Sequence, residues 1–209
     1  MNRLALGGLA GPVIFSVVVI LAAALRDDYS HVTHFVSELG ATGSPRASFM
    51  NYVGFIPGGL GLVAFGVALG RLLPRGRLTR VATALLIVFG VGVVASGIIS
   101  CDPGCPQTGG SLQNSVHDKI APIAFMCAIV AAALLGVSFR HNSAWRGFSS
   151  YSLATSAVAF GFLVALVSSL ETRELTGLWQ RLLLITLFSW CALGGVRAFR
   201  QGASPPQAA

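Results

Sequence analysis

Residues 81 to 100 read Val-Ala-Thr-Ala-Leu-Leu-Ile-Val-Phe-Gly-Val-Gly-Val-Val-Ala-Ser-Gly-Ile-Ile-Ser, twenty positions without one charged side chain. An α-helix needs about 20 such residues to cross the roughly 30 Å hydrocarbon core of a bilayer. A helix on the surface of a soluble domain would carry a charged stripe, and this stretch has none. Five further runs of the same kind lie on either side of it, at about Ala5–Leu25, Phe49–Leu72, Ile120–Phe139, Tyr151–Leu170 and Trp179–Phe199. The chain of 209 residues is 54% apolar and 10% charged, where soluble domains carry about a quarter charged residues. The reading is therefore an all-α, polytopic membrane protein. Six transmembrane helices fill residues 1–200, and a polar, Pro-rich tail over 201–209 is expected to be disordered. The first run resembles a signal peptide, but its length and its Gly7, Gly8, Gly11 and Pro12 favour a retained span.

The basic residues set the orientation. With the N-terminus inside, one side receives Arg3, Arg71, Arg75, Arg77, Arg80, Arg140, Arg146, Arg197 and Arg200, and the other Arg26, Arg46, Lys119, Arg173 and Arg181. The side richer in cations is cytoplasmic by the positive-inside rule, which places both termini in the cytoplasm of an inner (cell) membrane protein. All seven acids, Asp27, Asp28, Glu38, Asp102, Asp118, Glu171 and Glu174, then fall outside, with three of the four histidines. That bias points to a polar site on the outer face. The net charge of +7 suggests no nucleic-acid partner, because the arginines sit between apolar runs and form no basic face with interleaved aromatics.

Between the first two spans, residues 27–40 read Asp-Asp-Tyr-Ser-His-Val-Thr-His-Phe-Val-Ser-Glu-Leu-Gly. On a helix, Val32, Phe35, Val36 and Leu39 make one apolar stripe, and His31, His34 and Glu38 share the neighbouring face. Ser30 suits the N-cap, and Gly40 suits the position beyond the C-terminus. The spacing predicts a short interfacial amphipathic helix, with its His31 edge facing Asp102 and His117.

The loop after the third span opens Cys101-Asp-Pro-Gly-Cys105. Its Asp-Pro-Gly turn brings two thiols close, so a disulfide is expected on an oxidising face, with a redox or metal-binding pair as the alternatives. Ser115-x-x-Asp118 matches a capping box opening the fourth span. His31, His34 and His117, with Asp102, Asp118 or Glu38, would suffice for a zinc site whose bound water serves as nucleophile. The plainer alternative leaves each histidine hydrogen-bonded or solvated. Cys127 and Cys191 lie in mid-span as small apolar residues.

Glycines recur at helix-packing intervals at Gly7 and Gly11, Gly54 and Gly58, Gly66 and Gly70, and Gly90, Gly92 and Gly97. Such faces bring helices close, within the chain or against a second copy or another membrane protein. Pro57-Gly58-Gly59 is expected to bend the second span, because proline removes an i−4 hydrogen bond. Arg181, one turn into the sixth span, is expected to snorkel, to pair with an acid or to meet an anionic headgroup.

The Gly-Pro pair in the first span, Tyr29-Ser30-His31, Ser37-Glu38-Leu39-Gly40, the Gly-rich second span, the Asp-Pro-Gly loop and the histidine opening span four together resemble the bacterial and archaeal membrane family catalogued as domain of unknown function 998. The resemblance covers nearly the whole chain and implies six helices, but no activity. A looser likeness links the chain to eukaryotic six-helix proteins related to autophagy modulators and lipid-anchor remodelling factors. A weaker one links it to membrane hydrolases with histidines, an aspartate and a serine at one face, whose paired histidines on a late span are missing here.

The function expected is an outward-facing polar pocket, lined by His31, His34, Ser37, Glu38, Asp102 and His117, that binds a membrane lipid or other amphiphile. The rival readings are a zinc-dependent hydrolase acting on lipid, with Glu38 or Asp118 as general base, and a non-catalytic assembly subunit. A transporter is disfavoured by the near absence of acids at mid-depth.

Overall fold

The structure is a computed structural model and describes residues 2–203, among which no strand occurs. Six helices are long and apolar enough to cross a membrane: Arg3–Ala24, Ala47–Leu72, Arg77–Ile98, Leu112–Phe139, Arg146–Ser168 and Thr176–Gly202. They are called spans one to six below. Residues 201–203 continue the sixth helix, and the rest of the expected tail lies outside the described residues.

Each span packs against the next along the chain, and the sixth returns to the first, so the helices close a ring. Within it stand five buried phenylalanines from five spans, Phe15, Phe55, Phe89, Phe125 and Phe188. Phe15 meets both Phe55 and Phe188 edge-on with ring centroids 5.2 Å apart, and Phe89 lies 6.4 Å from both Phe125 and Phe188. These aromatic contacts fill the core where the spans converge.

The glycines are spent on the contacts between neighbouring spans. A Cβ added at Gly11 would stand 2.6 Å from the Gly58 carbonyl oxygen, and one at Gly59 would stand 2.6 Å from that of Gly90. Backbones that close leave no room for any side chain, and close approach is how helices gain contact in lipid. The second span loosens into π geometry over Met50–Phe55, directly before Pro57. Proline cannot donate to the ladder, and the wider turn re-pairs its neighbours, with Ile56 N–H reaching the carbonyl of Asn51.

Two local expectations are corrected. Residues 27–40 do not form one amphipathic helix. A turn occupies Ser30–His34, Phe35 is extended at ψ 151°, and only Val36–Gly40 is helical, as a 3-10 turn. The cause is competition from side chains for backbone donors. Ser30 does cap one turn, its Oγ accepting from the N–H groups of Val32 and Thr33 at 3.3 and 3.4 Å while His34 Nδ1 accepts the Ser30 N–H at 2.8 Å. The next two donors are then lost to side chains, the Phe35 N–H to Glu38 Oε1 at 2.9 Å and the Val36 N–H to Gln180 Oε1 at 2.7 Å, so the helix cannot continue. Phe35, Val36 and Leu39 are buried as the apolar stripe required, but Val32 is exposed. The fourth span likewise starts earlier than the capping box implied. Its helix opens at Leu112 with Ser111 as N-cap, whose Oγ accepts from Asn114 N–H at 3.1 Å, so Ser115 and Asp118 lie inside the helix.

Candidate functional site

The segment between spans one and two folds over one end of the ring as a lid, held chiefly by the start of span six. Helix N-termini leave unpaired N–H groups, and here the lid supplies acceptors. Leu178 N–H donates to the Val32 carbonyl at 2.9 Å, and the Thr176 hydroxyl donates to the Thr33 carbonyl at 2.5 Å. In the other direction Gln180 Oε1 accepts the buried Val36 N–H at 2.7 Å. Tyr29 fastens the lid to itself by donating to the Phe35 carbonyl at 2.9 Å.

Beneath the lid lies a cavity in two adjoining parts of about 120 and 50 Å³, which share Ser37, His117, Ala121, Phe125 and Gln180 as walls. The larger part carries Asp118 and Gln107 at its polar end and runs down between spans four and five to Pro122 and Val167, both exposed on the bilayer-facing surface. The smaller part reaches inward to Phe15, Phe55 and Phe89.

Two buried side chains give this cavity its chemistry. His117 is 3% exposed, and its Nδ1 lies 2.6 Å from the Ile99 carbonyl oxygen. A carbonyl can only accept, so Nδ1 carries the proton and the Nε2 lone pair is left facing the cavity. Gln180 is 7% exposed, and the Val36 N–H fixes which of its amide atoms is oxygen, which leaves the Nε2 donor for the cavity. Neither nitrogen has a protein partner among the described residues, and neither is sealed off, as the Asn51 Oδ1 acceptor is. An acceptor and a donor thus stand at the polar end of an otherwise apolar space. Asp118 is the only charged residue in its lining.

His31 and His34 belong to another cluster and do not face Asp102 and His117. His31 Nδ1 takes a hydrogen bond from Arg181 Nε at 3.1 Å, and the guanidinium also bonds the carbonyls of His34 and Gly177 and the Tyr29 hydroxyl. Tyr29 stacks on His34 with centroids 5.4 Å apart. Burial pushes the Tyr29 hydroxyl up to about 12. Partial burial, and then the Arg181 charge, hold the His31 imidazole below its ordinary value. Because guanidinium and backbone N–H groups only donate, the Nδ1 lone pairs of both imidazoles are already used. Among the described residues no group of three or more His, Cys, Asp or Glu could hold a metal ion, so the three-histidine zinc arrangement does not assemble.

The other expected site residues have structural partners. Glu38 is 2% exposed, accepts the Phe35 N–H at 2.9 Å, and faces Arg173 at 3.7 Å. Asp102 accepts from the Ser111 N–H and hydroxyl at 2.6 and 2.8 Å, which organises the loop outside the cavity. Asp118 takes a hydrogen bond from Asn114 at 3.0 Å while lining the cavity. The sulfurs of Cys101 and Cys105 stand at disulfide distance, both buried, with Ser37 Oγ 3.4 Å from that of Cys105. Arg173 secures this loop through the carbonyls of Gly104 and Cys105, with its guanidinium 4.9 Å from the Phe35 ring centroid.

Of the six residues expected to line one pocket, Ser37 and His117 reach the cavity. Gln180 joins them without having been anticipated; the sequence signal was an uncharged amide one turn inside an apolar span, beside the more conspicuous Arg181.

The fold and this lidded end define a six-span helical membrane protein with an amphipathic cavity between its spans. The chain belongs to the family described as protein of unknown function, DUF998, whose profile matches residues 9–197. No curated protein and no solved structure matches the chain.

Proposed function

We propose that this protein binds a neutral, hydroxyl-bearing amphiphile drawn from the outer leaflet, with its head beneath the lid and its chain leaving between spans four and five. The observation that carries the reading is the pair of unpartnered nitrogens, the His117 Nε2 acceptor and the Gln180 Nε2 donor, at the polar end of an apolar cavity. A hydroxyl both donates and accepts, so it would satisfy the two together. An unmet buried polar group costs about 1–3 kcal/mol, so ligands lacking that complement are disfavoured. Charge argues the same way: the lining holds Asp118 and no cation, which discriminates against fatty acids and phospholipid anions. Small polar heads with a single chain, such as fatty alcohols or monoacylglycerols, fit a volume of about 120 Å³ opening to lipid.

The test is photolabelling of detergent-purified protein with a diazirine-bearing monoacylglycerol. Peptides covering 120–125 and 163–170 should be labelled, and excess unlabelled monoacylglycerol should compete, but the matching fatty acid should not. His117→Ala and Gln180→Leu should each reduce labelling about tenfold. Labelling elsewhere, or equal competition by the fatty acid, would refute the reading.

A further inference from the structure

A second, separate feature lies on the outside of the ring. Between spans one and six runs a groove of about 260 Å³, walled by apolar side chains that include Ile20, Ile185 and Phe188, with Arg181 and His31 at one end. Ile20 and Ile185 are each 61% exposed, so the groove opens directly to the bilayer.

The cation at its mouth has no anionic hydrogen-bond partner. A guanidinium has five N–H donors. In Arg181, Nε goes to His31, Nη1 to the carbonyls of His34 and Gly177, and one Nη2 hydrogen to the Tyr29 hydroxyl. The remaining Nη2 hydrogen has no partner among the described residues, and none of the four acceptors is charged. Among the described residues Arg181 makes no salt bridge, while two carboxylates of the lid pair with other arginines, Asp28 with Arg26 at 2.9 Å and Glu38 with Arg173 at 3.7 Å. His31 Nδ1 accepts from Arg181, so the neutral ring carries its proton on Nε2, and His31 is exposed. The guanidinium is also held in place before any ligand arrives, so little ordering cost is left to binding.

We propose that this groove is a binding site for an anionic phospholipid, with one acyl chain along spans one and six and its phosphodiester on the free Nη2 hydrogen of Arg181. Charge complementarity selects the headgroup: a fixed cation without a counter-charge at the membrane surface is matched by a phosphate, and charge-assisted contacts are the stronger ones. The apolar wall behind it selects a lipid over a soluble phosphate. The groove backs onto the smaller part of the lidded cavity across Phe15, Val36 and Leu184, but that cavity's lining has an acid and no cation.

Native mass spectrometry of the full chain, titrated with phosphatidylglycerol or with phosphatidylcholine of the same acyl chains, tests this. Phosphatidylglycerol should bind preferentially. Arg181→Gln should weaken it about tenfold, to the level of phosphatidylcholine. Ile185→Trp, which fills the groove from an exposed position, should weaken both lipids while leaving thermal stability unchanged, and so covers the case in which Arg181→Gln loosens the lid. Equal binding of the two lipids by the wild type, unchanged preference in Arg181→Gln, or full competition by glycerol phosphate would overturn the proposal. Photolabelling of the lidded cavity should persist in Ile185→Trp, which separates failure here from failure there.

Discussion

Gln180 Oε1 accepts the Val36 main-chain N–H at 2.7 Å, across 144 positions of sequence. Both groups are buried, so this bond joins the lid to the sixth span where water cannot replace it. Removing the acceptor strands a buried N–H, at a cost of about 1–3 kcal/mol. Gln180→Leu should therefore lower the melting temperature in detergent and expose the lid to limited proteolysis. Gln180→Glu keeps an acceptor and should retain the lid while losing the donor to the cavity. If the leucine variant melts like the wild type, the bond does not hold the lid.

His31 supplies a pH dependence. Its imidazole is held below the ordinary 6.5, by partial burial and then by the charge of Arg181. The unfolded chain therefore takes up a proton there at a pH where the folded protein does not, and stability rises with pH over that interval. The contribution is complete above about 6.5 and is lost as pH falls towards the folded value. The groups facing the ring are Arg181 and Tyr29, and the latter stays protonated throughout this range. Melting temperatures measured from pH 7.5 to 5 should fall, and His31→Gln should flatten the curve. An unchanged slope in that variant would assign the dependence to other groups.

The Cys101–Cys105 loop is clamped twice over. Its sulfurs are at disulfide distance, and Thr42 N–H donates to the Cys101 carbonyl at 2.8 Å while Arg173 holds Gly104 and Cys105 from the other side. In protein purified without reductant, neither thiol should react with an alkylating reagent before reduction. A link closing so short a loop is worth about 2 kcal/mol on the chain-entropy account. Replacing both cysteines by serine should thus cost a modest loss of melting temperature, and Arg173→Ala, which also leaves the buried Glu38 without its cation, should cost more. Ready alkylation of both thiols would make the pair a reactive one.

The architecture was legible because its cause is local: a run such as Val81–Ser100 is long and apolar whatever surrounds it. The lidded end depends on choices that composition does not record. Residues 30–39 have helical spacing, yet the Glu38 and Gln180 side chains take the Phe35 and Val36 N–H groups that a helix would have used, and Phe35 leaves the helix. Ser115-x-x-Asp118 and Ser111-x-x-Asn114 are equally plausible openings for span four by pattern, and what favours the latter is Asp102, nine positions away, which bonds the Ser111 N–H. The histidines carried too little information to be grouped. His31 and His117 both lie at the same end of the ring, but their neighbours come from span six and from the end of span three, and only folding decides which. Gln180 is inconspicuous in the sequence because a single uncharged amide barely changes the hydropathy of a span.

The remaining prediction concerns which way the ring faces. Nine of the fourteen basic residues lie at the end opposite the lid and five at the lid end, and this asymmetry motivates a cytoplasmic position for both termini. Leu112 opens the fourth helix at 83% exposure, so Leu112→Cys should place a reactive thiol on the lid end without disturbing packing. At the other end Gly147 has open space around it, and Gly147→Cys serves as its counterpart. In a background lacking Cys127, which is only half-buried, an impermeant maleimide applied to intact cells should label Leu112→Cys and spare Gly147→Cys until lysis. The reverse pattern would invert the protein. The lid, the cavity and the Arg181 groove would then face the cytoplasmic leaflet, and the ligands sought should be those of that leaflet, while the hydrogen-bonding and charge arguments for a hydroxyl beneath the lid and a phosphate on Arg181 would stand unchanged.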